Sequence, residues 1–339
     1  MKLDPALINE ARRLLENSSP IVITNHVNPD GDAMGSALGL YGVLKKLDRD
    51  VKVVVPNTYP DFLKWMEGDA KVVAFDENPE LAGGLVEKAG LLIHLDYNSL
   101  KRSGPMQESL TSAEANRIMI DHHQQPDNFV DVMFSDTEMS STCELMYHVL
   151  HELGWTHHIG RHEAECLYTG IMTDTGSFRF NSTTPTTHQV AGALLEKGVE
   201  PNEMASRIYD INTSNRLQLL STALLTMEVL EDLPVAIIRL SAEDLERYGY
   251  KKGDTEGFVN YGLSVLGVKL SVFMAEKDGR IKISFRSKGS FDVNVLAREH
   301  FNGGGHKNAA GGSSEQSLTE TVQRFKDIIV DYSDALKNS

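Results

Sequence analysis

The feature that most constrains this chain is a set of short apolar runs, each of which ends in polar or acidic residues. Leu91–Leu95 is followed directly by Asp96, and Pro20–Thr24 runs into the polar segment Asn25–Asp32. Arg117–Ile120 is likewise followed directly by an aspartate, Asp121. Helical patterns lie between these runs, and such alternation is typical of a parallel sheet with crossover helices. In such a sheet, ligands bind outside the carboxyl ends of the strands, so we expect these polar side chains to form a site there.

The length and the order of the patterns predict two domains. The 339 residues are expected to form an α/β fold. It consists of a domain with a mostly parallel sheet over 1–190, a helical connector over 191–230, and a smaller α/β domain over 231–339. The strand patterns of the smaller domain are Val235–Leu240, Val268–Ala275 and Ile281–Phe285. Asp278–Gly279, between the last two, is typical of a hairpin turn.

Composition excludes several classes of partner. The formal net charge is -15, and long nucleic acid is bound through clustered Lys and Arg, so we do not expect long DNA as a partner. Two cysteines imply no disulfide framework and fit a reducing cytoplasm. No apolar run approaches the roughly 20 residues that span a bilayer. Met1–Pro20 is predicted as an amphipathic helix rather than a signal peptide. We therefore expect a soluble, cytoplasmic protein with no membrane partner.

The strongest chemical signal is the segment Asn25–Asp32, which follows a predicted strand and opens a predicted helix. It contains His26, Asp30 and Asp32. Imidazole and carboxylates together suit Mn²⁺, Zn²⁺ or Fe²⁺ better than Ca²⁺. Gly31 is expected to allow a sharp turn that points the two flanking aspartates at different ions. The alternative is a polar loop whose aspartate caps the next helix.

Two later segments add ligands of the same kinds. Asp121, His122 and His123 are consecutive, and Asp174 follows a predicted helix. Four aspartates and two histidines on four segments fit a site for two divalent cations. These six residues are His26, Asp30, Asp32, Asp96, His122 and Asp174. So many carboxylates in one cleft would repel each other strongly without cations.

The ordered combination of these motifs resembles the four motifs of the DHH family of phosphoesterases. The matching residues are, in chain order, His26, Asp30 and Asp32, then Asp96, then Asp121, His122 and His123, then Asp174. Further along, Arg286-Ser287 and Gly303–Asn308 resemble the substrate-binding domain that accompanies the DHH domain in one subfamily. The resemblance covers nearly the whole chain in the right order, and the combination is far more specific than any single motif.

The resemblance implies roles for these residues. One cation would be held by His26, Asp30 and Asp96, and the other by Asp32, Asp96, His122 and Asp174. Asp96 would therefore bridge the two cations, with Asp174 as an additional contact of the first. His123 would face the substrate phosphate, and Asp121 would orient the histidines by hydrogen bonding. Mn²⁺ is the expected cation because the ligands mix imidazole and carboxylate.

The resemblance also implies which residues bind substrate. Arg286 can grip a phosphate with two parallel hydrogen bonds, and Ser287 follows it. Gly303, Gly304 and Gly305 would let backbone N–H groups approach an anion, while His306 and Lys307 would add donors. Without the resemblance, a plain flexible loop is the better reading of these glycines.

Length and domain order are most similar to family members that degrade very short RNA oligonucleotides (nano-RNA) and dephosphorylate 3′-phosphoadenosine 5′-phosphate (pAp). The expected activity is Mn-dependent hydrolysis, with hydroxide held by two metals attacking phosphorus. Alternatives are a phosphodiesterase for linear or cyclic dinucleotides and a pyrophosphatase or exopolyphosphatase. A non-enzyme alternative is an inactive nucleotide sensor, which the complete ligand set disfavours. A homodimer is left open.

Overall fold

The alternating apolar runs of the first part of the chain form one sheet, and the later strand patterns form another. The computed structural model describes residues 3–339, and these fall into two units that divide between Ile211 and Asn212. The strands of the first unit are β1 Ile21–Thr24, β2 Val51–Val55, β3 Val72–Ala74, β4 Leu91–Leu95, β5 Asn116–Asp121 and β6 Val132–Ser135. Its helices are α1 Pro5–Asn17, α2 Gly31–Lys46, α3 Pro79–Glu87, α4 Gln107–Ser112, α5 Thr142–Glu152, α6 Arg161–Asp174, α7 Pro185–Leu195 and α8 Pro201–Tyr209.

All strand pairs of the first sheet are parallel, in the order β3-β2-β1-β4-β5-β6. The α/β fold with a parallel sheet is thereby confirmed. β1 and β4 are neighbours at the centre and are buried along their whole length, as strands covered by helices on both faces must be. From β1 the chain continues to β2 on one side and later returns to β4 on the other. The carboxyl ends of β1 and β4 therefore flank the topological switch point, where open α/β sheets bind ligands.

Close packing of α2 against α6 shapes this end of the sheet. A Cβ atom added to Gly31 would clash with the side chain of Thr173, and one added to Gly35 would clash with the Cys166 carbonyl. Gly31 is the first residue of α2 and is not in the left-handed region. The sharp turn expected at Gly31 is therefore not its role. Its missing side chain lets the start of α2 approach the end of α6.

The second unit contains a mixed sheet in the order β11-β12-β10-β9-β8-β7. Its strands are β7 Glu228–Val229, β8 Val235–Leu240, β9 Leu270–Lys277, β10 Arg280–Ser287, β11 Gly304–His306 and β12 Ala309–Ser314. Its helices are α9 Ser214–Leu225, α10 Ala242–Arg247, α11 Phe258–Leu263, α12 Val293–His300, α13 Leu318–Asp331 and α14 Ser333–Lys337. β8 and β9 are parallel and the other pairs are antiparallel. The predicted hairpin turn joins β9 to β10, with left-handed Asp278 and Gly279.

Residues 191–230, expected as a helical connector, are divided between the two units. α7 and α8 lie in the first unit, whereas α9 and β7 lie in the second. Each unit has its own apolar core. Over residues 3–339, no helix is both long enough and apolar enough to cross a membrane.

Candidate metal centre

The loop between β1 and α2 places the first motif at the switch point. Asp30 is the N-cap of α2, and its Oδ1 accepts hydrogen bonds from the backbone N–H groups of Asp32 (3.0 Å) and Ala33 (3.1 Å). Its other oxygen, Oδ2, lies 3.9 Å from His26 Nε2. The helix-capping interpretation of this aspartate is therefore correct, and capping still leaves one carboxylate oxygen directed at His26.

Asp96 lies between two groups of side chains. It follows β4 and adopts a left-handed backbone conformation, with φ of 63°. Its Oδ2 is 3.3 Å from His26 Nε2, and its Oδ1 is 3.7 Å from His122 Nε2. We call His26, Asp30 and Asp96 the first donor group, since their ligand atoms lie within 4.8 Å of one another.

A second donor group consists of Asp32, His122 and Asp174, whose ligand atoms also lie within 4.8 Å of one another. His122 Nε2 is 3.7 Å from Asp32 Oδ2 and 3.4 Å from Asp174 Oδ2. Asp174 is the last residue of α6, not a residue beyond it as the sequence indicated. The close approach of α2 and α6 brings Asp32 and Asp174 to the same imidazole.

The two imidazoles are oriented in the same way. His26 Nδ1 lies 2.9 Å from the Val27 carbonyl, and His122 Nδ1 lies 3.1 Å from the Met139 carbonyl. A carbonyl only accepts hydrogen bonds, so each Nδ1 carries the proton. In the neutral ring, Nε2 then presents its lone pair to the surrounding carboxylates. Histidines that ligate metals are held in this way by their outer nitrogen.

His123 and Asp121 form a buried pair beside these groups. His123 Nδ1 is 2.7 Å from Asp121 Oδ1, and the His123 backbone N–H donates to Asp121 Oδ2 at 3.1 Å. Asp121 is the last residue of β5 and is fully buried. Its carboxylate thus orients the neighbouring ring. His123 Nδ1 also lies 3.7 Å from Asp96 Oδ1.

Burial and the mutual repulsion of carboxylates shift the pKa values of this cluster. Burial, with the nearby carboxylates, raises the pKa of Asp32 and raises that of Asp96 well above its usual range. Burial alone would lower the pKa of His122, but Asp174, Asp32 and Asp96 raise it to about 9. Burial lowers the pKa of His26. Buried acids that resist ionisation in this way are stabilised by cations, and the mixed imidazole and carboxylate donors fit divalent metal ions.

In the second unit, the predicted substrate residues lie on neighbouring strands. Arg286 and Ser287 end β10, and Arg286 pairs with Ala309 of β12. The Ser287 hydroxyl donates to the Phe291 carbonyl at 2.7 Å and accepts from Asn308. It therefore fixes the surrounding chain.

The glycines have a packing role of their own. A Cβ atom on Gly303 would clash with the Gly311 carbonyl, and Gly305 has φ of 150°. Gly304 and Gly305 begin β11, which ends at His306, and Lys307 follows in the turn to β12. The close approach of β11 to β12 thus depends on glycine here.

Sequence reasoning passed over Asn294, which organises this segment. Its Oδ1 accepts from the Gly305 N–H (3.0 Å) and from Arg298 Nε (3.0 Å). Asn294 is 2% exposed. It holds the guanidinium of Arg298, an exposed residue of α12, beside the glycine-rich strand.

Comparison with known proteins matches both parts of the chain to family models. The DHH family, N-terminal domain, matches residues 20–171, and the DHHA1 domain matches residues 232–333. The bifunctional oligoribonuclease and PAP phosphatase NrnA of Thermus thermophilus is 31% identical, over 91% of this chain and 87% of that protein. This chain belongs to the DHH family.

Two further relatives match nine-tenths or more of this DHH-family chain. NrnA of Bacillus subtilis strain 168, also a bifunctional oligoribonuclease and PAP phosphatase, is 29% identical over 90% of this chain and 92% of that protein. The crystal structure of an exopolyphosphatase-related protein from Bacteroides fragilis superposes with a TM-score of 0.94. It is 41% identical, and the match covers 98% of both chains. The chain is therefore a DHH-family phosphoesterase with an NrnA-like domain order.

Three residues of the DHH domain that sequence reasoning missed support the two donor groups. The Asn57 side chain accepts from the Asn28 N–H at 2.7 Å and so holds the loop that carries His26. Asn98 donates to the Gln124 carbonyl at 2.6 Å and ties the segment after β4 to the segment after β5. Thr142 contacts Asp96 directly. Asn57 and Asn98 lie just beyond strand ends, which is a usable sequence signal, whereas nothing in the sequence distinguishes Thr142.

Proposed function

We propose that this chain hydrolyses phosphate esters of short RNA oligonucleotides and of pAp, with two divalent cations and with Mn²⁺ as the preferred ion. The observation that carries the proposal is the pair of donor groups that share Asp96 at the switch point of the sheet. The substrate class is supported by two relatives named as bifunctional oligoribonucleases and PAP phosphatases. The match covers almost the whole length of both.

In this proposal, the first donor group holds one cation and the second donor group holds the other. Asp96 serves both, because its Oδ2 faces His26 and its Oδ1 faces His122. When bound, a pair of divalent cations lowers the pKa of a shared water and offsets the charge of the phosphoryl group. The protein orients both imidazoles through backbone carbonyls, so that each Nε2 is directed inward before a cation arrives.

His123 is proposed to contact the substrate phosphate. Its Nδ1–H is held by Asp121, and burial lowers the pKa of the ring well below its usual value. The ring is therefore neutral without substrate, with a lone pair on Nε2. An adjacent phosphate anion favours proton uptake at Nε2, and the protonated ring can then donate a hydrogen bond to a phosphate oxygen. Asp121 would stabilise that charged form.

The second unit is proposed to supply recognition of the nucleotide. Its candidates are Arg286, Ser287, Gly303, Gly304, Gly305, His306 and Lys307, joined by Arg298. Binding energy from parts of the substrate that do not react can position the scissile phosphate. We therefore expect small artificial phosphodiesters to be poorer substrates than pAp.

A second candidate function is hydrolysis of pyrophosphate or polyphosphate. It is favoured by the likeness to the exopolyphosphatase-related structure from Bacteroides fragilis. The two functions differ in whether a base must be recognised beside the phosphate. Turnover of substrates that lack a base therefore separates them.

The test is a substrate panel with purified, metal-stripped protein and added Mn²⁺. The panel contains pAp, a dinucleotide, a five-residue RNA, cyclic dinucleotides and pyrophosphate. We expect pAp and the RNA to be turned over fastest, with no activity in EDTA and none in Asp96→Asn purified in parallel. Unchanged rates in EDTA would show the two-cation proposal to be wrong, and fastest turnover of pyrophosphate would favour the second candidate. Binding of pAp without turnover of any substrate would indicate a sensor.

A further inference from the structure

The start of α5 contacts two carboxylates of the metal centre. Thr142 is the first residue of α5 and is fully buried. Its hydroxyl donates to Asp96 Oδ1 at 3.0 Å, and its backbone N–H donates to Asp32 Oδ2 at 2.6 Å. The next N–H, of Cys143, donates to Asp32 Oδ1 at 2.9 Å. Thr142 thus ties Asp32 to Asp96 through two hydrogen bonds, and the Cys143 N–H adds a third bond to Asp32.

A third buried carboxylate, that of Glu144, fixes the start of α5. Ser141 caps α5, and its hydroxyl accepts from the Glu144 N–H at 3.0 Å. Glu144 Oε2 accepts from the backbone N–H of Ser140 (3.1 Å), from the Ser140 hydroxyl, and from the Thr187 hydroxyl of α7 (2.9 Å). Glu144 is fully buried. Because Glu144 holds Ser140 and is itself held by Thr187 of α7, the residues that precede Thr142 are fixed on both sides.

The hydroxyl of Thr142 acts on only one side of Asp96. It bonds Oδ1, the oxygen that lies 3.7 Å from His122 Nε2. The other oxygen, Oδ2, lies 3.3 Å from His26 Nε2. The backbone contact of Thr142 is with Asp32, also a member of the second donor group. Every contact of Thr142 with the centre therefore lies on the side of the second donor group.

We propose that Thr142 is a positioning residue for one of the two cations, the one held by Asp32, His122 and Asp174 with Asp96 Oδ1. This inference rests on the proposed two-cation function. Thr142 sets the spacing between Asp32 and Asp96, and the Glu144–Ser140 contacts keep that spacing fixed. If the Thr142 hydroxyl only stabilised the fold, its removal would not weaken the binding of one cation more than that of the other. A selective loss of affinity at one site therefore distinguishes a positioning role from a purely structural one.

The experiment measures Mn²⁺ binding to the metal-stripped full chain by titration calorimetry, in wild type and three variants. Thr142→Val keeps the shape and both backbone donors but removes the hydroxyl. Thr142→Ser keeps the hydroxyl. Thr169→Val is the matched control, because Thr169 is equally buried in the same unit and its hydroxyl contacts only the Met204 sulfur among described partners.

We expect wild type to bind two Mn²⁺ ions. Thr142→Val should weaken one site by about 10–100-fold, the range typical of groups that hold metal ligands, and leave the other unchanged. Thr142→Ser should restore the weakened site, and Thr169→Val should match wild type. Equal weakening of both sites, or no weakening, would overturn the inference. If Thr142→Val does not fold, Glu144→Gln is measured instead. Unchanged Mn²⁺ affinity at both sites of that variant would also overturn the inference. Wild type that binds no Mn²⁺ would instead defeat the proposed function.

Discussion

Replacing Asp96 with asparagine should stabilise the metal-free protein against unfolding and should remove most of the stabilisation that Mn²⁺ provides. Asp96 is 2% exposed. Its Oδ1 and Asp32 Oδ2 are each 3.7 Å from His122 Nε2, so the two oxygens are at most about 7.4 Å apart. Two unit charges about 7 Å apart repel by ~2 kcal/mol at an effective dielectric of about 20. Asparagine removes that charge, can still accept from Thr142, and tolerates the left-handed backbone at this position.

We therefore expect Asp96→Asn to gain about 1–2 kcal/mol of unfolding free energy in EDTA, because the positive charge of His122 offsets part of the repulsion. For a unit of this size, that corresponds to a rise in Tm of roughly 2–8 °C. In Mn²⁺ the order should reverse. Binding at about 100 times Kd stabilises wild type by ~2.7 kcal/mol per site, and Asp96→Asn should lose most of that gain together with its activity.

The assay is thermal unfolding followed by circular dichroism, in EDTA and in Mn²⁺. Asp121→Asn is the matched control, because Asp121 is equally buried but its two oxygens already accept hydrogen bonds from His123. We expect this control to unfold at a lower temperature than wild type in EDTA. The reasoning is refuted if Asp96→Asn is destabilised in EDTA like the control, or if Mn²⁺ raises its Tm as much as that of wild type.

Three further predictions concern activity and pH. Asp121→Asn should retain its Mn²⁺ and lose about 10–100-fold in kcat, whereas equal losses for Asp121→Asn and Asp96→Asn would contradict their assigned roles. Arg286→Ala should lower kcat/KM for pAp by the equivalent of about 2–4 kcal/mol, mainly by raising KM, and should affect bis-p-nitrophenyl phosphate much less. The control Arg280→Ala, at an exposed residue of the same strand, should change neither rate. Equal losses on both substrates would place Arg286 in the catalytic centre. The surrounding carboxylates raise the pKa of His122 to about 9, so the stabilisation from its proton is complete below pH 6.5 and is lost as pH rises through 9. The unfolding free energy in EDTA should fall by about 1–3 kcal/mol between pH 6.5 and 9, and a flat profile there would contradict it.

The sequence by itself determined the strands that lead into the motif residues, β1, β4 and β5, and the motif residues of the centre. β4 has the bounds that its apolar run predicted, because a strand buried on both faces requires mostly apolar residues. β3 and β6 were not predicted. They are short strands at the two edges of the sheet, with partly exposed residues, so their apolar signal is weak. Asp121 and Asp174 were placed just beyond their elements, although they are the last residues of β5 and α6.

Only the tertiary structure decided how the motif residues meet. Strand order places β1 beside β4, and no local pattern encodes which strands become neighbours. Gly31 brings Asp32 and Asp174 together through helix packing, not through the turn that its sequence position indicated. Thr142 reaches Asp32 across 110 residues of chain, and such contacts form because a buried carboxylate must be satisfied by whichever donors the fold places beside it. The motif residues are therefore readable from the sequence, whereas the residues that position them are set by the packed fold.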